Sequence, residues 1–473
     1  MSGIYRFINT NVPTIGCNLR CEYCYIKQHG DEESVLKIDL RKNLFKYPIE
    51  HMIKALSAER MGGICMFNIS GSGETMLCPD IMKIVKGILD NGHYVAIISN
   101  CTINSVVDDL INLPDLYRER IFVKASFHYR ALKQKGILDT YANNINKFKN
   151  AGIAFSVEIV SSDYVLDDLD ELKEFSMKNF GALPHVLGGR DETTPGKYGE
   201  LETKLDKEEF YKIWSSFDSN LFKFQYSDFS KPLNNMFCYA GDYTGSLDLG
   251  TGEFYSCPGG PKLTNFFENI EERVAFFPVG RTCPFPFCFC GFFLQVLAGV
   301  GREEYEQKYT FNTFRDRTCT DGSTWLNTNI RELFSHRCSE FHEDLSLEQK
   351  EFITCLRKQI QTSKDLSLSQ YFLKQIIVNK LKTNEIRQVA IYGNGKLGKW
   401  LTNMIEGSDI QIKYFIDKKY SDNKGMYISS VDSIEDVDAI IVTPFDEYTQ
   451  IAPMIRSKKP FLKVIAIQNL MNL

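Results

Sequence analysis

Short apolar runs in the first 190 residues alternate with stretches in which apolar residues recur every three or four positions. The runs predict strands and the spaced stretches predict helices, as at Ile81, Ile84 and Val85. Pro48 favours the first turn of one helix, and Thr140 is predicted to cap another. The six predicted strands cover residues 5–8, 64–70, 94–98, 121–126, 154–160 and 183–187.

Six strand–helix units in succession predict an α/β fold in which parallel strands are joined by helical crossovers. We place these units in a first domain, residues 1–195. In barrels built this way, the active site lies in the loops at the carboxyl ends of the strands. We therefore expect the chemistry of this domain in the segments that directly follow the predicted strands.

The rest of the chain is predicted to divide into three parts. Residues 196–300 are polar and aromatic-rich, with a helix at 207–217 and a β-hairpin around Gly252. Residues 301–383 form a mostly helical connector, in which Ser346 and Gln349 make a capping box. Residues 384–473 return to strand–helix alternation, with strands at 389–392, 414–416, 439–442 and 462–467.

The composition is that of an ordinary globular protein, with 473 residues, 43% hydrophobic and 24% charged. A net charge of −5 gives no general attraction to nucleic acid or to an anionic membrane. We find no signal-peptide core and no apolar run of about 18 residues. Fourteen cysteines without a secretion signal favour a reducing cytoplasm and metal ligation over disulfides.

Three cysteines lie just after the first predicted strand, in the stretch Cys-Asn-Leu-Arg-Cys-Glu-Tyr-Cys that begins at Cys17. Three residues separate Cys17 from Cys21, and two separate Cys21 from Cys24. Three thiolates can hold a four-iron cluster and leave one iron open for a small molecule. A structural zinc site, or cysteines that are merely buried, are the alternatives at this point.

This spacing, with the aromatic Tyr23 directly before the third cysteine, resembles the radical S-adenosylmethionine (radical SAM) enzymes. The resemblance implies that Cys17, Cys21 and Cys24 hold a catalytic 4Fe–4S cluster whose open iron binds S-adenosylmethionine. It implies reductive cleavage to a 5'-deoxyadenosyl radical that takes a hydrogen atom from the substrate. It also implies a partial six-stranded barrel over residues 4–190 and a reductant such as a flavodoxin or a ferredoxin.

Further segments resemble the S-adenosylmethionine pocket of that family. Gly73-Glu74 stand where the family has Gly-Gly-Glu, whose backbone and acidic group accept hydrogen bonds from the ammonium of the cofactor. Ser99-Asn100 resemble the start of its Thr-Asn-Gly-Thr, with Cys101 in place of the glycine. The resemblance assigns cofactor binding to Tyr23, Gly73, Glu74, Ser99, Asn100, Ser126 and Ser161. His128 and Tyr129 are candidates for facing the substrate, and the catalytic residues stay unidentified.

A second set of cysteines begins at Cys238. Cys238 and Cys257 lie at the two ends of the predicted hairpin, so strand pairing would bring them together. With Cys283, Cys288 and Cys290, they resemble the SPASM or twitch extension of radical SAM enzymes, which binds one or two auxiliary 4Fe–4S clusters. A zinc knuckle is the alternative.

We favour the smaller twitch form with one auxiliary cluster, because one residue, not two, separates Cys288 from Cys290. Cys319 and Cys338 would have to supply ligands to a second auxiliary cluster. The remaining cysteines lie in strand or helix patterns and are predicted to pack in the core, namely Cys65, Cys78 and Cys355.

A glycine-rich turn opens the C-terminal domain. Gly393, Gly395 and Gly398 form a Gly-x-Gly-x-x-Gly between a predicted strand and a helix, and Asp417 follows the next strand. The domain resembles the small Rossmann-like modules that are appended to sugar-modifying transferases. A mononucleotide or the head group of a nucleotide sugar would bind at the helix N-terminus. Alternatively nothing binds, because such glycines also allow close packing of helix and strand.

Three functions remain open. A small-molecule substrate, a sugar or nucleotide-linked sugar, is favoured by the C-terminal domain through fold-level analogy. Peptide or protein modification is common among enzymes with SPASM-type extensions, but the short stretch before Cys17 leaves no room for an N-terminal peptide-binding domain. An iron–sulfur electron carrier is disfavoured, since it needs no pocket of the kind expected around Glu74 and Asn100.

Overall fold

The computed structural model describes residues 3–13, 16–28, 44–189, 203–228, 236–258, 260–274, 276–283, 309–347, 349–351, 353–354, 357, 368–417, 426–444 and 447–471. The chain forms two compact units, Met1–Asp344 and Leu345–Leu473. Each unit has its own sheet and its own hydrophobic cores. The division into four domains stays a prediction.

The first unit is built on a nine-stranded sheet. Its first seven strands run parallel in the order β6-β5-β4-β3-β2-β1-β7, and β8 and β9 continue the sheet antiparallel beyond β7. The strands are β1 Arg6–Val12, β2 Cys65–Gly71, β3 Tyr94–Ser99, β4 Ile121–Ser126, β5 Ala154–Ser161, β6 His185–Gly188, β7 Thr244–Asp248, β8 Glu253–Tyr255 and β9 Lys262–Asn265.

Helices connect the parallel strands as the sequence predicts, and the α/β fold class is confirmed. The described helices of this unit are Tyr25–Gln28, Ile49–Ala55, Ala58–Met61, Ile81–Asp90, Asn104–Ile111, Asp115–Arg118, Tyr129–Gln134, Leu138–Asn150, Leu169–Phe180, Lys207–Ser215, Asn220–Asp228, Asn312–Arg315 and Thr328–Ser335. One detail is wrong: the helix predicted to be capped by Thr140 begins at Leu138, so Thr140 lies inside its first turn.

The two faces of the sheet pack against different partners, because successive side chains of a strand point to opposite sides. Ile8 and Phe67 belong to the core that includes the crossover helices. Phe7 and Met66, one position away, belong to a second core on the inner face. Aromatic residues from the segment after the cysteine-rich region fill that inner face near the start of the strands, namely Phe311, Phe314 and Phe334.

The predicted hairpin around Gly252 is present and extends the barrel sheet. β7 pairs in parallel with β1, and β8 returns antiparallel after a turn in which Gly252 has a φ of +81°. A Cβ atom at this glycine would lie 2.4 Å from the side-chain oxygen of Asn265. The sequence predicted the hairpin but not its pairing with the first strand, which lies more than 200 residues earlier in the chain.

The second unit has a five-stranded parallel sheet in the order β12-β11-β10-β13-β14. A parallel sheet with its first strand in the middle is typical of doubly wound α/β folds. Its strands are β10 Gln388–Tyr392, β11 Gln411–Ile416, β12 Tyr427–Ile428, β13 Ala439–Val442 and β14 Lys463–Ala466. Its described helices are Leu368–Thr383, Lys396–Ile405, Tyr448–Lys458 and Ile467–Met471. The capping box of Ser346 and Gln349 is present, with hydrogen bonds of 2.7 and 3.2 Å.

Candidate active site

The three-cysteine loop follows β1 at the carboxyl end of the sheet. Cys17 and Cys24 are half-buried, and Cys21 is buried at 9% exposure. Burial raises the pKa of the Cys17 thiol, while the backbone N–H of Leu19 lowers it by donating to the sulfur at 3.4 Å. The charges of Glu74 and Cys24 also raise the pKa of Cys17, which places both groups near this thiol.

The cysteine loop is tied to the loop after β3 by side-chain amides. Asn18 donates from Nδ2 to the Thr102 hydroxyl at 2.7 Å and accepts from Asn100 Nδ2 at 2.8 Å. Thr102 in turn donates to Asn100 Oδ1 at 2.6 Å. Because Asn18 lies directly after Cys17, this clasp fixes the first cysteine relative to the predicted cofactor residue Asn100.

Glu74 links the loops after β1, β2 and β3. Its backbone N–H donates to Gly16 O at 2.9 Å. Its carboxylate accepts from the Ser99 hydroxyl at 2.5 Å and from the backbone N–H groups of Asn100 and Met76 at 2.8 and 2.9 Å. Burial at 2% exposure raises the pKa of Glu74, and these three donors oppose the shift. An ionised carboxylate has roughly four acceptor positions, so about one remains for a ligand.

A second contact joins the cysteine loop to the end of β4. The Tyr23 hydroxyl lies 2.9 Å from His128 Nδ1, and the two rings are 5.8 Å apart. Burial lowers the pKa of His128 to about 4, so the imidazole is neutral at pH 7. Tyr129, the neighbour of His128, is fully buried in the helix-side core and does not face the inner side.

The other predicted cofactor residues lie in the same region. Gly73 directly precedes Glu74 in the loop after β2, and Ser126 is the half-buried last residue of β4. Ser161 is fully buried at the end of β5, where its hydroxyl accepts from the backbone N–H of Gly189 at 3.1 Å. Cys101 is buried with a φ of +53°, which accounts for the glycine that the family pattern has at this position.

Charged residues on the inner face of the sheet were missed by the sequence reasoning. Glu158 on β5 is fully buried between Lys124 of β4, at 3.1 Å, and Arg315, whose Nη1 contacts the other carboxylate oxygen. Burial lowers the pKa of Arg315 to about 9. A signal was available in the sequence, because Lys124 and Glu158 interrupt otherwise apolar or small-residue strands. Nothing local indicated that Arg315 would reach them.

The donor set of the cysteine loop fits an iron–sulfur cluster. Within the described ranges, no three His, Cys, Asp or Glu side chains converge as closely as around a single metal ion. Iron–sulfur clusters are held by cysteine thiolates, and this loop supplies three of them. Such clusters also accept hydrogen bonds at their sulfurs, and here a backbone N–H donates to the sulfur of Cys17. A cluster would be held by Cys17, Cys21 and Cys24, and it supplies an electron and an open iron.

The second cysteine set is described in part. Cys238 pairs with Gly280 through two backbone hydrogen bonds of 3.0 Å. The pKa of Cys257 is raised to about 11, first by burial and next by the charge of Cys283, so these two thiols are neighbours. All three pack against the inner aromatic core. Cys288 and Cys290 lie outside the described residues.

The remaining cysteines that the sequence left open are core residues. Cys319 is 4% exposed and donates to Phe180 O at 3.4 Å. Cys338 is fully buried in the inner core, where burial raises its pKa. Cys65 and Cys78 are also buried, as predicted, whereas Cys355 lies outside the described residues.

The glycine turn of the second unit has the expected form. Gly393 follows β10 with a φ of +91°, and the helix from Lys396 begins directly after Gly395. Asp417 accepts from the backbone N–H of Asn394 at 3.1 Å. A Cβ atom at Gly398 would lie 2.2 Å from Gly393 O, so this glycine is required for close packing.

Residues 11–176 match the model of the radical SAM superfamily. This stretch is a radical SAM domain. Enzymes of this superfamily use a 4Fe–4S cluster and S-adenosylmethionine, and they require a reductant. No protein of curated function matches the chain.

The solved structures that are similar to the chain include the following three. SuiB of Streptococcus suis bound to S-adenosylmethionine has a TM-score of 0.39 at 15% identity, covering 56% of this chain and 65% of SuiB. AnSMEcpe with bound AdoMet has a TM-score of 0.39 at 16% identity, with 75% and 94% covered. TYW1 with a lysine–pyruvate adduct has a TM-score of 0.27 at 13% identity, with 44% and 73% covered.

The chain spans less than two thirds of the length of SuiB, and TM-scores below 0.5 carry no argument about substrates. Across the described ranges, no helix combines the length and the apolar character that a bilayer crossing requires.

Proposed function

We propose that Cys17, Cys21 and Cys24 hold the catalytic cluster of this enzyme and that the 5'-deoxyadenosyl radical abstracts hydrogen from a small molecule. The observation that carries this proposal is the hydrogen-bonded junction of the three loops after β1, β2 and β3. Glu74 connects all three of these loops, and Asn18 connects the cysteine loop to Asn100. A pocket built from these loops would hold the cofactor against the cysteines.

The residues of the chain position the cofactor in this proposal. Glu74 keeps about one acceptor position for the ammonium of the methionine moiety, since roughly three of four are taken. Gly73 and Ser99 shape the same pocket, and Asn100 and Ser126 offer polar contacts at the strand ends. Tyr23, held by His128, is the aromatic residue beside the third cysteine. Ser161 stabilises the end of β5 through Gly189.

An auxiliary cluster is proposed at the second cysteine set. Cys238 and the neighbouring thiols of Cys257 and Cys283 would be ligands, completed from Cys288 and Cys290. Its role would be to accept an electron from the substrate radical or to bind the substrate. Cys319 and Cys338 are left out, because both are engaged in packed cores.

The proposed substrate is a sugar or nucleotide-linked sugar, supported by the glycine turn of the second unit with Gly393, Gly395, Gly398 and Asp417. The reductant would be a flavodoxin or a ferredoxin, and the location cytoplasmic. Peptide modification is the second candidate, because the second cysteine set resembles the SPASM-type extensions that are common among peptide-modifying enzymes. SuiB, one of the similar structures, has been solved bound to a precursor peptide. Stimulation of deoxyadenosine formation by a panel of nucleotide sugars, but not by peptides, would separate the two.

The test of the cluster is anaerobic reconstitution with iron and sulfide counting and a deoxyadenosine assay. We expect about eight irons in the wild type and about four when Cys17, Cys21 and Cys24 are all replaced by Ala. Deoxyadenosine formation should be lost in that variant. Cys78→Ala is the matched control, because Cys78 packs in the core at 1% exposure and should keep all the iron.

Other iron counts would contradict parts of the proposal. About four irons in the wild type would make the second cysteine set structural, and about twelve would require two auxiliary clusters. Zinc in place of iron, or full deoxyadenosine formation in the triple variant, would end the assignment of these three cysteines.

A further inference from the structure

The inner face of the sheet carries polar residues just below the predicted cofactor pocket. Lys124 lies two residues before Ser126 on β4, so it faces the same side about 7 Å deeper along the strand. The parallel register places Ser156 of β5 beside Lys124, and Glu158 beside Ser126. A molecule below the cofactor would therefore meet these side chains.

The charged members of this group differ in how they are buried. The side chains of Glu158 and Arg315 are 0% and 1% exposed, whereas that of Lys124 is 12% exposed. Lys124 is thus the most exposed of these three charged side chains, and Glu158 contacts its ammonium at 3.1 Å. Apolar residues in these positions would stabilise the buried core at least as well as the ion pairs do. Buried charges at this place therefore indicate a binding site.

A buried hydroxyl supplies a second and independent observation. Ser156 is fully buried, and its Oγ has no hydrogen-bond partner among the described residues. A buried polar group without a partner is unfavourable, and a ligand would satisfy it. The ammonium of Lys124 only donates and the hydroxyl of Ser156 can donate, so the matching ligand group is an acceptor with negative charge.

We propose that Lys124 and Ser156 bind an anionic group of the substrate, a carboxylate or a phosphate, on the inner face of the barrel. This inference rests on the proposed function, since it places the substrate below the cofactor. Glu158 and Arg315 act as positioning residues: Glu158 orients the ammonium of Lys124, and Arg315 contacts the other carboxylate oxygen of Glu158. The site therefore recognises substrates that carry an acidic group.

The test is the melting temperature of the first unit in the reconstituted full chain, read from its own transition by circular dichroism at constant ionic strength, with acetate or inorganic phosphate as the probe. We expect a saturable rise of about 3 °C in the wild type. Lys124→Met should abolish the rise, since it keeps the aliphatic stem and removes the charge. Ser156→Ala should require several-fold more anion for the same rise. Lys133→Met, on the outer surface beside Asp168 and Glu171, is the matched control and should respond as the wild type.

Each outcome bears on the proposal. A stronger response to acetate supports a carboxylate substrate, and a stronger response to phosphate supports a phosphorylated one. No response in the wild type, or a response that survives Lys124→Met, would overturn the site. A loss of S-adenosylmethionine affinity in Lys124→Met would move Lys124 into the cofactor pocket and also overturn it. Failure of the proposed function would show separately, as absence of deoxyadenosine in the wild type.

Discussion

In the proposed function Glu74 has two tasks, binding the cofactor and joining the loops, and its contacts allow us to compare them. As a cofactor ligand it offers about one of its roughly four acceptor positions. As a structural residue it accepts three hydrogen bonds, from Ser99, Asn100 and Met76, and these fix the loop after β3 against the loop after β2. Most of its bonding capacity therefore holds the pocket together, and changing it alters pocket shape as well as the direct contact.

We expect Glu74→Gln to weaken S-adenosylmethionine binding by tenfold or more. The amide NH2 group would face backbone N–H donors that now meet a carboxylate oxygen, and one unsatisfied buried donor costs roughly 1–3 kcal/mol. Equilibrium dialysis with the reconstituted enzyme measures the loss. Ser99→Ala is the control, because it removes one donor and keeps the carboxylate, so its effect should be smaller. Equal affinity in Glu74→Gln and the wild type would contradict the proposed contact between Glu74 and the cofactor.

The site could be predicted from the sequence where its residues lie together in a short motif. Cys17, Gly73, Ser99 and their neighbours form such motifs, and the structure places them at the strand ends as expected. Arg315 could not be predicted, because its partner Glu158 lies far away in the sequence and only folding brings them together. The clasp of Asn18 was missed for the same reason.

At the scale of elements, strand cores were predicted well and strand ends less well. The strand Ile121–Ser126 has the predicted bounds, and the helix predicted at 207–217 begins at Lys207 and ends at Ser215. β1 extends to Val12, four residues beyond the predicted end. The prediction stopped too early because Asn9 and Asn11 interrupt the apolar pattern. Asn9 is accommodated on the inner face, where its side chain accepts from Asn68 at 3.0 Å. Polar residues on an inner face therefore conceal a strand from an apolar pattern.

His93 joins two elements and should make stability depend on pH. Its Nδ1 accepts from the backbone N–H of Cys65 at the start of β2, and its Nε2 lies 2.7 Å from Leu56 O, after the helix Ile49–Ala55. Burial lowers the pKa of His93 from 6.5 to about 4. Between these pH values the unfolded chain binds more protons than the folded chain does. The contribution of His93 to the free energy of unfolding is therefore complete above pH 6.5 and is lost as the pH falls toward 4.

The expected contribution is about 3 kcal/mol at most. Melting temperatures measured at pH 7.5 and pH 5 should therefore differ more in the wild type than in His93→Gln, which cannot gain the proton. His336→Gln is the control, because His336 is near the surface beside Glu340, which raises its pKa and reverses the sign of its effect. An unchanged pH dependence in His93→Gln would contradict the assignment.

At the scale of the whole molecule, the two units have separate cores. In the first unit, one face of the sheet packs against the crossover helices and the other packs against the inner aromatic residues. The sheet of the second unit has its own two cores, one on each face. Two units with separate cores are expected to unfold in separate transitions. A substitution inside one core should therefore change the melting temperature of that unit alone.

The glycine turn of the second unit offers a matched pair of substitutions that separates packing from binding. Gly398→Ala should lower the stability of this unit by about 2 kcal/mol or more, because its Cβ would lie 2.2 Å from Gly393 O. Gly395→Ala should cost clearly less, about 1 kcal/mol for the poorer N-cap residue, since a Cβ there meets nothing within 4 Å and its φ of −73° suits alanine.

Calorimetry with and without UDP as a probe measures both effects. If the turn binds a nucleotide, UDP should raise the melting temperature of the second unit in the wild type. The rise should be smaller in Gly395→Ala, because the added methyl group lies where phosphates approach the helix N-terminus. If the turn only allows packing, UDP should change nothing while Gly398→Ala still destabilises. Equal destabilisation of the second unit by the two alanine substitutions would contradict the packing argument. A Cβ atom at Gly398 meets Gly393 O, whereas one at Gly395 meets open space, so their effects on stability should differ.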